Sequence, residues 1–173
     1  CVAGTARHRR GRSIQGNAGI IVPPKGYSQR VKEIISSYGG LFIADEVQTG
    51  FARTGRMFAI EHAGVTPDIM CVAKALGNGQ PISAFIASAK VADSYTKPGA
   101  STLGGNPVSS TAGLAVLNYI EEHHLAENAE ARGKQLRKGL AEIQKRHPII
   151  GDIRGLGLMT GAEFVHSDKS PAP

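Results

Sequence analysis

Between Tyr27 and Tyr38, apolar residues recur every three to four positions. Val31, Ile34, Ile35 and Tyr38 share one face, and this period predicts an amphipathic helix. Pro23, Pro24 and Gly26 mark the loop before it. Gly39 and Gly40 end it, because glycine tolerates the positive φ that helix C-termini adopt. Three unbroken apolar runs then appear at strand length: Leu41-Phe42-Ile43-Ala44, Ile69-Met70-Cys71-Val72-Ala73 and Ala84-Phe85-Ile86-Ala87-Ser88. Continuous runs of this kind suit strands covered on both faces. Asn106-Pro107 combines an N-cap with a first-turn proline and predicts a helix to about Glu122. A charged helix follows from about Leu125 to Arg146, with Leu136, Leu140 and Ile143 on one face. Leu156 to Phe164 reads as one alternating strand of a second, small domain, and Ser167 to Pro173 as loop. Short apolar runs interleaved with helical periods predict an α/β sheet.

Composition narrows the class. The chain has 173 residues, 41% hydrophobic and 20% charged, which is ordinary for a soluble globular protein and excludes disordered, collagenous and low-complexity classes. No stretch approaches the roughly 20 apolar residues of a membrane span, and the first residues lack the apolar core of a signal peptide. The expectation is a soluble, cytoplasmic protein, or a mitochondrial one in a eukaryote, with no membrane partner. Cys1 and Cys71 are far apart and show no CxxC spacing, so neither a disulfide framework nor a thiolate metal site is expected. His62, His123, His124 and His147 lack metal-ligand spacing, and solvated or capping roles are expected of them. The net charge of +6 owes four charges to Arg7, Arg9, Arg10 and Arg12, one short cluster. With aromatics at 5% and no tryptophan, this is not the interleaved surface that binds nucleic acid.

Two groups carry chemistry. Asp45 follows the first apolar run and Lys74 the second, and in open α/β sheets the C-terminal ends of parallel strands face the ligand crevice. A carboxylate and an amine are thereby presented to one cavity. From position alone, a loop carboxylate capping a turn and a solvated surface lysine are the ordinary readings of the two residues, and the catalytic one stays open beside them. An apolar strand ending in Asp-Glu serves nucleotide hydrolysis when a G-x-x-x-x-G-K-[ST] loop accompanies it, and the chain has no such loop. It also serves pyridoxal phosphate chemistry, in which a lysine forms a Schiff base and an aspartate pairs with the pyridinium nitrogen.

Three ordered motifs bear on that choice: Leu41 to Gly55 (LFIADEVQTGFARTG), Pro67-Asp68-Ile69 leading to Ala73-Lys74-Ala75-Leu76-Gly77-Asn78-Gly79, and Ser101-Thr102-Leu103-Gly104-Gly105-Asn106-Pro107. Together they closely resemble the class III aminotransferases, pyridoxal phosphate enzymes of fold type I, from about Ile14 to Val165. The resemblance implies a partial large domain over residues 13–122, with a mostly parallel sheet and flanking helices. It implies the start of a small α+β C-terminal domain over 123–173, after an atypical basic segment at 1–12.

By resemblance, Lys74 is the Schiff-base lysine and then the base that moves the substrate proton, and Asp45 keeps the ring nitrogen protonated. Val47 packs on a ring face, Gln48 hydrogen-bonds near the phenolic oxygen, and Thr102 binds the cofactor phosphate of a neighbouring subunit. That last role implies a homodimer with shared active sites. Arg154 matches a C-terminal motif, and a structural ion pair is expected of it. The implied activity is transfer of an amino group from an amine or amino acid donor to an oxo acid by a ping-pong mechanism. An aminomutase or decarboxylase of the family, or a truncated non-catalytic fragment, stays open beside it.

The chain also departs from the family. Members are typically more than twice as long, carrying a glycine-containing phosphate loop and a ring-stacking aromatic upstream and a substrate-carboxylate arginine downstream. They usually place a glutamate shortly before the segment matching Ile14-Gln15-Gly16, where this chain has Arg12 and Ser13. Residues 1–12 do not resemble the family's strand there, and the expectation is a truncated or mis-joined chain.

Overall fold

The computed structural model of the chain describes residues 8–97 and 99–172. Four strands form the main sheet in the order β1 (His8–Arg12), β2 (Leu41–Asp45), β3 (Ile69–Val72) and β4 (Ala84–Ala87). The first three are parallel and β4 runs antiparallel to β3. Helix α1 (Tyr27–Ser37) covers β2, as its apolar period predicts. A short helix α2 (Ala89–Ala92) follows β4, and α3 (Pro107–Glu122) and α4 (Leu125–Gln144) lead into a separate antiparallel hairpin, β5 (Ile150–Leu156) and β6 (Met159–Phe164).

Sequence signals explain most boundaries. Asn106 caps α3 by accepting from the Ser109 N–H at 2.9 Å, with Pro107 in the first turn where its missing N–H costs nothing. Asp68 anchors the entry to β3, its Oδ2 accepting from the Phe42 N–H at 2.7 Å while its own N–H donates back to Phe42 at 3.0 Å.

Two buried clusters flank the sheet. One joins Phe42, Ala44, Ile60 and Val65 with Val31 and Ile35 of α1; the other joins Phe51, Ala52, Val72, Leu76 and Ile120 of α3. Phe58 and Met70 touch both, so the loop after β2, the loop after β3 and α3 are packed as one body.

Four sequence expectations need correction. Residues 8–12, placed in an atypical basic segment, form a strand in register with the whole of β2. Backbone pairing does not depend on side-chain polarity, and an edge strand tolerates arginines. Asp45 belongs to β2 itself rather than to the loop after it. The β4 run, expected to be covered on both faces, leaves Phe85 73% and Ile86 51% exposed. The single strand expected over Leu156 to Phe164 is instead the turn and second arm of the β5–β6 hairpin, reversed at Gly157-Leu158. Cys71 is a half-buried free thiol, and Cys1 lies outside the described residues.

The hairpin turn docks on the body through glycine. Gly157, at φ 53°, lies between Gly133 of α4 and the Thr54-Gly55 backbone, with Arg137 Nη1 donating to its carbonyl at 2.6 Å and the Leu158 N–H donating to Arg53 at 3.0 Å. A Cβ at Gly133 would overlap the Gly157 carbonyl, whereas one at Gly139 in the same helix meets nothing within 4 Å. Helix propensity alone favours Ala over Gly by about 1 kcal/mol at either site. Gly139→Ala is therefore expected to stabilise the chain by about 0.5–1 kcal/mol and Gly133→Ala to destabilise it by about 2–4 kcal/mol, since the close approach cannot absorb a methyl. Urea midpoints of the two variants check the opposite signs.

Candidate active site

The end of β2 carries two neighbouring carboxylates with different surroundings. Asp45 is 6% exposed; its Oδ1 accepts from the Val47 N–H at 3.2 Å and its Oδ2 from Arg12 Nε–H at 3.4 Å. Glu46, one residue on, is fully buried. It accepts from the Ser13 hydroxyl at 2.5 Å, from the Thr49 hydroxyl, and from the backbone N–H groups of Ala59 at 3.0 Å and Ile60 at 2.7 Å. Those two amides open the 3-10 turn Ala59–Ala63, whose first N–H groups have no partner within the turn. Glu46 thus ties three segments together.

Asp45 lies in register with Cys71 on β3, and Lys74 follows three residues later, so both groups stand at the C-terminal ends of adjacent parallel strands. Lys74 is exposed and sits at φ 50°, in the left-handed region that a side chain enters at a cost of about 1–3 kcal/mol. Phe51, Ala52 and Asn78 share that conformation, so the turns after β2 and β3 are both strained. The packing of Phe51, Ala52 and Leu76 into one cluster holds them there. Strain kept in place by a rigid core is frequent at functional sites.

Val47 is half-buried and Gln48 exposed in the turn after Asp45. The Gln48 amide rests on Gly16, where an added Cβ would overlap it, and this contact aligns the Gln15-Gly16 loop with the β2 end. Thr102 is exposed in the loop ahead of α3, a segment held by the Asn106 amide donating to the Leu103 carbonyl at 2.9 Å. Asp45 and Lys74 therefore stand at the C-terminal ends of β2 and β3, Val47 and Gln48 follow in the turn after β2, and Thr102 lies on a separate loop.

Arg154 makes the ion pairs expected of it, with Asp152 at 2.7 Å and with Glu163, and its Nε donates to the Gly19 carbonyl at 2.8 Å. The hydrogen bonds it donates, first to Asp152 and then to Glu163, hold its pKa above the usual guanidinium value. Its function here is to tie the C-terminal hairpin to the N-terminal loop. His62 Nε2 lies 3.0 Å from the Thr54 carbonyl oxygen and 3.1 Å from its hydroxyl, a turn-holding contact.

Sequence reasoning missed Glu46, Ser13 and Thr49 as one network, and Arg12 as a partner of Asp45. The only available signal was the adjacency of two carboxylates after an apolar run, which does not say which one turns inward.

The donor set fits pyridoxal phosphate. An amine able to condense with its aldehyde and a shielded carboxylate able to hold its ring nitrogen stand at the ends of adjacent parallel strands, the two groups that chemistry requires. A mostly parallel sheet flanked by helices, with those groups at its strand ends, defines the fold type I pyridoxal phosphate enzymes. Within that class the chain belongs to the class III aminotransferases, whose family pattern matches residues 12–172.

Relatives bear this out. A leucine/methionine racemase of Thermococcus litoralis is 51% identical over 88% of this chain and 34% of its own length. A mitochondrial alanine–glyoxylate aminotransferase 2 homolog of Arabidopsis thaliana is 45% identical over 98% of this chain and 36% of its own length. The chain thus spans about a third of the length of the curated relatives it matches. Among solved structures, the ornithine aminotransferase of Toxoplasma gondii, described with partial occupancy of pyridoxal phosphate at its active site, is 41% identical. It superposes at a TM-score of 0.86 over 92% of this chain and 38% of that one. Class III aminotransferases use pyridoxal phosphate.

Proposed function

We propose that the chain supplies the cofactor-binding centre of a pyridoxal phosphate-dependent transaminase that moves an amino group from an amine or amino acid to an oxo acid in two half-reactions. One observation carries this reading: a shielded Asp45 and a strained Lys74 stand at the ends of adjacent parallel strands. When bound, the cofactor supplies an electron sink that lowers the barrier to removing the substrate's Cα proton. Lys74 would hold it through its amine and would take and return that proton at Nζ. Asp45 holds a positive charge at the ring nitrogen. Val47 shields the ring from water, Gln48 donates toward its phenolic oxygen, and Thr102 serves the phosphate of a second subunit in a homodimer.

In this reading residues 13–122 belong to the large domain and 123–173 to the small one. Among the described residues, no helix is long and apolar enough to cross a membrane.

Asp45→Asn tests the assignment. Single-turnover conversion of the cofactor-loaded chain by an amino acid panel is expected to fall by about 100-fold or more, the scale seen when a preorganised charge is removed. Covalent capture at Lys74 persists. Near-normal conversion would overturn the role given to Asp45.

Two observations favour other readings. The 51% identity to a leucine/methionine racemase favours chemistry needing no oxo acid, and loss of optical activity in an amino acid without acceptor would mark it. The exposed apolar β4 favours a chain that folds but is not catalytic alone, for which conversion would be absent with the cofactor bound.

A further inference from the structure

We infer that Arg12 competes with the cofactor's ring nitrogen for Asp45. The inference rests on the proposal that Asp45 receives that nitrogen, and adds a residue of this chain that weakens the hold. Arg12 ends β1 in register opposite Asp45, with Nε 3.4 Å from Oδ2, while Oδ1 is committed to the Val47 N–H. A protonated ring nitrogen and a guanidinium are both cations, and two cations on one carboxylate repel. The guanidinium does not relieve this by losing its proton.

Arg12 is placed to be displaced rather than to block. Its side chain is 45% exposed against 7% for Asp45. It also lines a cavity of about 330 Å³ with Ser13, Gln15 and Asn17, whose polar groups can receive the guanidinium once it leaves.

The sign of the effect is diagnostic. A positive charge near an anionic phosphate ordinarily strengthens binding, so an arginine whose removal tightens binding acts at the ring nitrogen instead. The test is a calorimetric titration of the purified chain with a pyridoxal phosphate analogue lacking the aldehyde, so that Lys74 chemistry takes no part.

Arg12→Gln is expected to bind about three- to tenfold tighter, in line with relief from a partly exposed charge. Arg12→Lys keeps the charge and should stay near the parent affinity. In the Asp45→Asn background, Arg12→Gln should change nothing. Equal or weaker binding by Arg12→Gln while Asp45→Asn binds poorly overturns the inference alone, as does the same gain in the Asp45→Asn background. Asp45→Asn binding as well as the parent overturns the underlying reading of the site. Failure of both the parent and Arg12→Gln to bind at millimolar analogue overturns both.

Discussion

Lys74→Ala is expected to abolish covalent capture of pyridoxal phosphate while leaving noncovalent binding within a few-fold of the parent. The reason is local. Lys74 stands just beyond β3 in a left-handed conformation, next to the β2 end that holds Asp45, so its amine leaves a fixed point rather than a mobile loop. Removing the side chain removes the only covalent link proposed, whereas Asp45 and the surrounding turns stay in place. The measurement is the change in cofactor absorbance on adding chain, followed by gel filtration to separate bound from free. A Lys74→Ala chain that keeps the cofactor through borohydride treatment and denaturation would contradict the assignment.

Lys74→Gly carries a second, opposite expectation: the same loss of capture with a gain in stability of about 0.5–1 kcal/mol, because glycine enters positive φ without strain. Loss of stability in Lys74→Gly would show that the conformation is not strained.

Glu46→Ala is expected to cost about 3–5 kcal/mol of stability, a large part of the 5–15 kcal/mol that holds a typical domain. The carboxylate is fully buried and accepts from two hydroxyls and two backbone amides drawn from the loop after β1, the turn after β2 and the 3-10 turn at Ala59. Its removal leaves several buried donors without partners, each worth about 1–3 kcal/mol. Glu46→Gln keeps the volume and one acceptor oxygen, and should cost about half as much. Urea denaturation followed by far-ultraviolet circular dichroism measures both. A Glu46→Ala midpoint equal to the parent's would mean that the network contributes nothing to folding.

The adjacent carboxylates show how far the sequence carried. Leu41-Phe42-Ile43-Ala44 announces a buried strand by its unbroken apolar character, and the position of Asp45 and Lys74 at strand ends follows from the α/β pattern. Nothing in Asp45-Glu46 says that the first would have a half-exposed arginine as neighbour and the second would be sealed inside, because that depends on contacts from Arg12, Ser13 and Ala59, far away in sequence. The N-terminal strand was illegible for a related reason: pairing to β2 is made by backbone, which the basic side chains of residues 8–12 do not report.

The hairpin was hidden by its own regularity. A two-residue turn at Gly157-Leu158 leaves the alternation of Met159 to Phe164 intact, so the pattern marks a strand without marking the reversal before it. For β4 the apolar run marks the strand but not its cover, since hydropathy records what a face can bury and not whether a neighbour is there to bury it.

Cofactor attachment at Lys74, beyond the ends of β2 and β3, is the step on which the proposed function depends. Its most direct test is to incubate the purified chain with pyridoxal phosphate, reduce with borohydride, and locate the modified peptide by mass spectrometry. A single dominant adduct on the peptide containing Lys74, absent from Lys74→Ala, is expected. Labelling spread evenly over the exposed lysines, unchanged in that variant, would contradict it.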